Sequence, residues 1–255
     1  MMSYTVSLKG EKAEDLEGKH WDEVVAKRYP PSRSLIIAPG RDYCYYFNRK
    51  GMGEVCEFIG DVKGKKILEI GCGVGNVCVY FARGGAEVWG CDISEGSIQV
   101  ARRFAEDNQL EDRIHLGVMK IESLSYKNDF FNMVFGQSIL HHTDLPRAIK
   151  EIHRVLKEGG RAVFIEPLAY HPLVWAYRKV RPQRYSPGEK PLRISDLKII
   201  RQSFDNNVKV KGHRLLALYS HPAIVYRYLR IIDDLLCSIP GMKRLCATVV
   251  IMANK

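Results

Sequence analysis

Three short stretches carry residue types that could do chemistry. Lys66 to Asn76 reads KILEIGCGVGN: Ile67 to Ile70 suit a buried strand, Gly71, Gly73 and Gly75 follow, and a helical pattern begins at Asn76. Glycines let the chain turn through angles that a side chain forbids and let a ligand lie against bare main chain. Glu87 to Cys91 is a second strand-like run, and it ends on Asp92. A carboxylate there is placed to accept hydrogen bonds from the two hydroxyls of a ribose. Two adjacent imidazoles, His141 and His142, follow the apolar run Phe131 to Gly136. Imidazole titrates near neutral pH, which suits proton removal. Adjacent residues point in different directions, so at most one of the pair can serve as a base; His171 and Tyr177 are weaker alternatives.

The glycine spacing separates two ligand classes. A nicotinamide-binding turn has G-x-G-x-x-G, so that the helix start carries a pyrophosphate. Here the spacing is G-x-G-x-G, and Glu69 stands before the first glycine. A carboxylate there repels a pyrophosphate but suits an ammonium or sulfonium group. The stretch resembles motif I of the class I S-adenosylmethionine-dependent methyltransferases, of the methyltransferase type 11-like kind, and Asp92 falls where that family has its ribose-binding acid. The block FNMVFGQSILHHTDLPRAIKEIHRVLKEGG is similar to the family's segment from fourth to fifth strand, and residues 64–167 look like its core throughout.

The resemblance implies S-adenosyl-L-methionine as cofactor, with S-adenosyl-L-homocysteine as its product. It implies cofactor contacts from Glu69, Gly71, Gly73, Gly75, Asp92, Ile93, Ile121, Glu122 and Gln137. Segments ahead of motif I commonly fold over the cofactor in this family, which makes Tyr43 and Tyr46 candidates near the methyl donor. Two departures stand out. Lys120 occupies the place of an acid that often receives the adenine amino group, leaving that contact to Glu122 or to amides near Ile121. Asn132 stands where an Asp is usual, a change expected to alter only a local hydrogen bond.

These residues need a frame to position them. At 255 residues the chain fits one α/β domain with elaborations. Strand and helix signals alternate from residue 66 to 166, which implies right-handed crossovers and a parallel sheet with its ligand site at the strands' C-terminal ends. The expected fold is a Rossmann-like, seven-stranded, mostly parallel sheet with helices on both faces. Residues 1–60 read as an N-terminal helical cap containing a short helix near His20–Val25 and another over 53–59. Residues 61–166 read as the cofactor-binding core, with a helix from Asp144 that ends at Gly159-Gly160. Residues 167–205 read as an insert forming a substrate lid: its prolines limit it to short helices, one over 173–180 and one capped by Ser195. Residues 206–255 complete the core with an edge strand at 208–213, a helix opened by His221-Pro222 and favoured to pack on core or lid, and a terminal strand at 246–252.

Charge is unevenly spread. The net charge is +10, and residues 167–214 hold eleven Lys or Arg against three acids. That excess favours an acidic or phosphorylated acceptor, a nucleic acid or an anionic surface. The leading expectation is methyl transfer to an oxygen or nitrogen of a small molecule. An RNA methyltransferase ranks lower, because no RNA-binding module and no N/D-P-P-Y/F signature occurs. A non-catalytic S-adenosylmethionine-binding protein is the third reading and a dehydrogenase the fourth. The seven cysteines are scattered and read as reduced core thiols of a cytoplasmic protein. No signal-peptide run and no transmembrane-length apolar stretch is visible. No metal set stands out, so metal-independent transfer is expected, and no G-x-S-x-G elbow suggests a hydrolase. The sequence is silent on oligomeric state.

Overall fold

The computed structural model describes residues 13–33, 35–49, 52–182, 185–186, 189–216, 223–239 and 241–255. Its frame is one seven-stranded sheet: β1 (Lys66–Ile70), β2 (Glu87–Asp92), β3 (Ile114–Val118), β4 (Phe131–Gln137), β5 (Leu156–Pro167), β6 (Val208–His213) and β7 (Thr248–Asn254). The strand order is β3-β2-β1-β4-β5-β7-β6. The first five strands are parallel, and β7 runs antiparallel to both β5 and β6. The central strands are apolar nearly throughout because helices cover both faces. Alternation then sends Ile67, Met133, Val163 and Val250 into one core layer and Leu68, Val134, Phe164 and Ile251 into the other.

The first layer is roofed by α1 (Ala13–Arg28), α2 (Tyr43–Arg49), α3 (Gly53–Ile59), α4 (Asn76–Arg83) and α5 (Glu95–Asp107). The second is covered by α6 (Leu145–Val155) and α8 (Ile194–Ser203), with α7 (Pro172–Val180) and α9 (Ala223–Ser238) outside it. Local sequence sets the helix starts. Ser94 Oγ accepts from the Ser97 amide at 2.9 Å to cap α5, and Asp144 Oδ1 accepts from the Arg147 amide at 3.3 Å to cap α6.

Several expectations are corrected. The first helix is longer than the short one read from His20 to Val25. Helix α6 stops at Val155, ahead of Gly159, because Leu156 already pairs with Phe131 and the next residues bulge out. Gly159 supplies the bulge's left-handed turn (φ 70°), and Lys255 Nζ satisfies the terminal carbonyls of His153 (3.0 Å) and Leu156 (2.7 Å). Arg193, not Ser195, precedes α8, and its amide donates to Asp196 Oδ2 at 2.7 Å. Cys44 and Cys56 form a disulfide between α2 and α3, unlike the five remaining cysteines, which are free and buried. Along α9, Ile231, Ile232 and Leu235 are exposed while Asp233 and Cys237 are buried, so the helix packs by one face only. His221 and Pro222 lie outside the described residues. Asn132 Oδ1 accepts from the Lys66 amide at 2.9 Å, tying β4 to the start of β1. Among the described residues no helix is long and apolar enough to cross a membrane.

Candidate active site

The strand order reverses between β1 and β4, and ligands of open α/β sheets bind in the crevice such a reversal leaves. A cavity of about 310 Å³ opens there, at the strands' C-terminal ends. Its floor is the glycine turn after β1. Gly71 has φ 60°, and a Cβ there would meet Ile139 Cγ1 at 2.4 Å. Gly73 has φ 51°, and a Cβ there would meet nothing within 4 Å, so its main chain lies bare towards the cavity. Gly75 faces away, against Ala101 of α5, and is not on the lining.

Asp92 closes one side. Its Oδ2 accepts from the Gly73 amide at 2.8 Å, and its Oδ1 accepts from the Ser94 amide at 3.0 Å. Burial pushes this carboxyl above the usual aspartate value, with the amides of Ser94, Gly73 and Ile93 pulling the other way. Ile93 continues the wall, as do Lys120, Ile121 and Glu122 in the turn after β3. Glu122 is held by the Asp144 amide, which donates to its Oε1 at 2.9 Å. Gln137, at the end of β4, also lines the cavity, and its Oε1 accepts from Tyr46 OH at 2.7 Å. Burial and the nearby Glu69 raise the Tyr46 phenol, which therefore stays protonated and donates.

Besides Gly75, three implied cofactor residues are off the lining: Glu69, Tyr43 and Tyr46, the last of which reaches it through Gln137. Glu69 is buried beneath the turn and accepts from Cys78 Sγ at 2.9 Å. Tyr43 turns its hydroxyl to the Gly60 carbonyl at 2.7 Å and stacks on Phe81, inside the core.

The histidines sit in a 3₁₀ turn over Leu140–His142 after β4. Glu166, fully buried at the end of β5, builds that turn: its Oε1 accepts from the Ile139 and Leu140 amides, each at 2.9 Å. Its Oε2 lies 2.6 Å from His141 Nδ1. His142 lines the cavity, and its Nδ1 lies 2.5 Å from Glu17 Oε1. His141 is buried behind it, with Nε2 3.6 Å from Glu189 Oε1. His171 is structural: Nδ1 accepts from the Val174 amide at the start of α7, and Nε2 faces the Leu215 carbonyl. Tyr177 is not on the lining.

The largest omission from sequence reasoning is α1. Glu17, Trp21, Val24, Val25 and Arg28 form one wall of the cavity. Asp22 pins the helix in place, its Oδ1 accepting from Ser94 Oγ at 2.5 Å and from the Gly96 amide at 2.9 Å. The apolar residues Trp21, Val24 and Val25 were a visible signal, but their partners were not. Conversely, no described residue of 167–214 is on the lining; the basic side chains there are Arg28 and Lys120.

Comparison with known proteins agrees with this geometry. Residues 68–164 match the family described as Methyltransferase domain. Methyltransferase GfsG of Streptomyces halstedii is 36% identical over 100 residues, covering 38% of this chain and 36% of that protein. Ubiquinone biosynthesis O-methyltransferase of Coxiella burnetii is 36% identical over 104 residues, covering 40% of this chain and 44% of its own length. The chain thus spans less than half of these curated relatives. In fold, it superposes on geranyl diphosphate C-methyltransferase from Streptomyces coelicolor A3(2) with a TM-score of 0.62 at 16% identity, covering 96% of this chain and 98% of that one. That crystal structure contains Mg²⁺, geranyl diphosphate and S-adenosyl-L-homocysteine.

Proposed function

We propose that this chain, whose residues 68–164 match the family described as Methyltransferase domain, is a class I S-adenosylmethionine-dependent methyltransferase that transfers a methyl group to an oxygen or nitrogen of a small molecule held between α1 and the His141-His142 turn. One observation carries the reading: a single cavity is lined both by Gly73 and Asp92 and by His142, which is paired with Glu17. The residues present fit the cofactor. Asp92 would take the ribose diol, the bare main chain of Gly71 and Gly73 the amino-acid end, and the turn at Lys120–Glu122 the adenine edge. When bound, S-adenosyl-L-methionine supplies an electrophilic methyl on a sulfonium.

The chain's own contribution is positioning. Trp21, Val24 and Val25 give the acceptor's side an apolar wall, and fixing a nucleophile in line can supply about 7 to 11 kcal/mol of the barrier. Glu166 and Glu17 lie against Nδ1 of the two imidazoles, and the tautomer that donates Nδ1–H to its carboxylate carries its lone pair on Nε2. Such a lone pair can take a proton from a hydroxyl or hold a Lewis acid; a neutral amine needs neither. A preference for an acidic acceptor rests on Arg28 and Lys120 alone among the described lining residues. The small-molecule complex of the Streptomyces coelicolor neighbour supports the choice of acceptor size.

Methyl transfer is tested by supplying donor labelled in its methyl group with a panel of phenols, carboxylic acids, phosphorylated alcohols, amines and a structured RNA. Label in a small molecule, reduced about 100-fold or more by His142→Ala when the acceptor is a hydroxyl, is the expected result. Label confined to the RNA, falling steeply with salt, would replace this reading by nucleic-acid methylation.

A further inference from the structure

The carboxylates behind the acceptor wall outnumber what methyl transfer requires. Glu17, Glu166 and Glu189 converge on His141 and His142, whose ring centroids are 4.1 Å apart. Arg178 pairs with Glu189. One donor atom from each of His141, His142 and Glu189 lies within 4.8 Å of the other two. Glu189 comes from the insert after β5, and the Lys190 amide beside it donates to the His141 carbonyl at 3.2 Å, which clamps that strand of the insert to the turn.

We propose that His141, His142 and Glu189 bind one divalent transition-metal ion, with Glu166 and Glu17 orienting the two imidazoles. Three lines of chemistry support this assignment. First, a ligating imidazole characteristically donates its other N–H to a carboxylate, which fixes the tautomer and raises the basicity of the ligating nitrogen. Both histidines have such a carboxylate on Nδ1, at 2.6 Å and 2.5 Å. Second, two imidazoles and a carboxylate suit Zn²⁺, Co²⁺ or Mn²⁺ better than Mg²⁺ or Ca²⁺, which prefer oxygen alone. Third, Glu166 and Glu17 are buried carboxylates, and burying carboxylate charge is costly without a compensating positive charge, which a divalent ion supplies. Tetrahedral ligands sit roughly 3.4 Å apart at zinc–nitrogen distances, so binding draws the Glu189 side chain inward and loosens its pairing with Arg178.

Three protein ligands leave a fourth position open, and His142 is on the cavity lining, so that position faces the acceptor. This part of the inference rests on the methyl-transfer reading. It narrows the acceptor to one with an oxygen that can sit on the ion, a phenol, alcohol or carboxylate. A bound hydroxyl is acidified by the ion and loses its proton to water, so the loaded protein does not need His142 as proton acceptor. Sequence spacing gave no sign of the site, because Glu189 is brought to the histidines only by the return of the insert.

The test titrates chelator-treated full-length protein with Co²⁺ and Zn²⁺, without methyl donor, following the Co²⁺ visible spectrum and the metal content after dialysis. One ion per chain is expected, with binding at least tenfold weaker in Glu189→Gln and His141→Ala. Glu166→Gln should weaken it about 10- to 100-fold through imidazole orientation, and His115→Ala, at an exposed histidine elsewhere, should leave it unchanged. Should His141→Ala unfold, Glu189→Gln still decides. Binding that is absent at millimolar metal, or that is unchanged in Glu189→Gln, overturns the proposal. S-adenosyl-L-homocysteine binding by the same metal-free samples separates failure of the metal site from failure of the methyl-transfer reading.

Discussion

The Gly73 amide donates to Asp92 Oδ2 at 2.8 Å, and that bond joins the turn after β1 to the acid that ends β2. The two cofactor-facing elements are thus one unit, and the carboxylate is held with its burial-raised pKa at the cavity wall. A ribose diol needs the ionised form as acceptor. Affinity for S-adenosyl-L-homocysteine should therefore be full at neutral pH and fall as pH drops through a carboxyl value above that of an ordinary aspartate. Calorimetry between pH 7 and pH 4 measures this, and an affinity flat across that range contradicts it.

Gly71 and Gly73 share a left-handed backbone but differ in surroundings. Gly71→Ala drives a methyl into Ile139 as well as straining φ, and should cost about 1 to 3 kcal/mol of stability. Gly73→Ala meets no protein atom and should cost about 1 kcal/mol, yet its methyl enters the space a cofactor would use. Thermal melts and homocysteine-product titrations on both variants should rank oppositely: Gly71→Ala worse in melting, Gly73→Ala worse in binding once folded. The reverse ranking would show that the bare face of the turn is not the contact surface.

Glu54 of α3 is bound to β6, with His213 Nε2 2.8 Å and Lys211 Nζ 3.2 Å from its Oε1. Burial opposes its charge, but the close His213 imidazole, its own backbone amide and Lys211 outweigh that and hold the carboxyl down to about 2. The folded value lies below the unfolded one near 4.5, so the stabilisation is complete above that pH and is lost as pH falls towards 2. Urea unfolding of Glu54→Gln should show a deficit of about 1 to 2 kcal/mol at pH 6 that shrinks towards pH 2. A deficit constant with pH would assign the effect to packing.

What the chain reveals in one dimension is what local pattern controls. The Lys66–Asn76 turn, the Asp92 strand end and the alternation of strands and helices depend on residues close in sequence, and each lies where its pattern placed it. The position of α1 over the cavity depends on Asp22 reaching Ser94 and Gly96, a contact with no periodic signature. The Cys44–Cys56 bond depends on α2 and α3 packing side by side. The insert's basic residues looked like an acceptor site because charge is legible and direction is not: α7 buries none of its side chains, and Arg178 is taken up by Glu189. Convergence of Glu17, Glu166 and Glu189 on two histidines likewise exists only after folding.

The most direct measurement is calorimetric titration of S-adenosyl-L-homocysteine into the wild-type chain and Asp92→Ala at neutral pH. A charge-assisted hydrogen bond to a diol hydroxyl is worth about 1.5 to 3 kcal/mol. One-to-one binding to the wild type, weakened about 10- to 100-fold or more in a variant that still melts cooperatively, is the predicted result. No binding to the folded wild type at millimolar ligand, or equal affinity in the two proteins, would contradict the assignment of this cavity to the methyl donor.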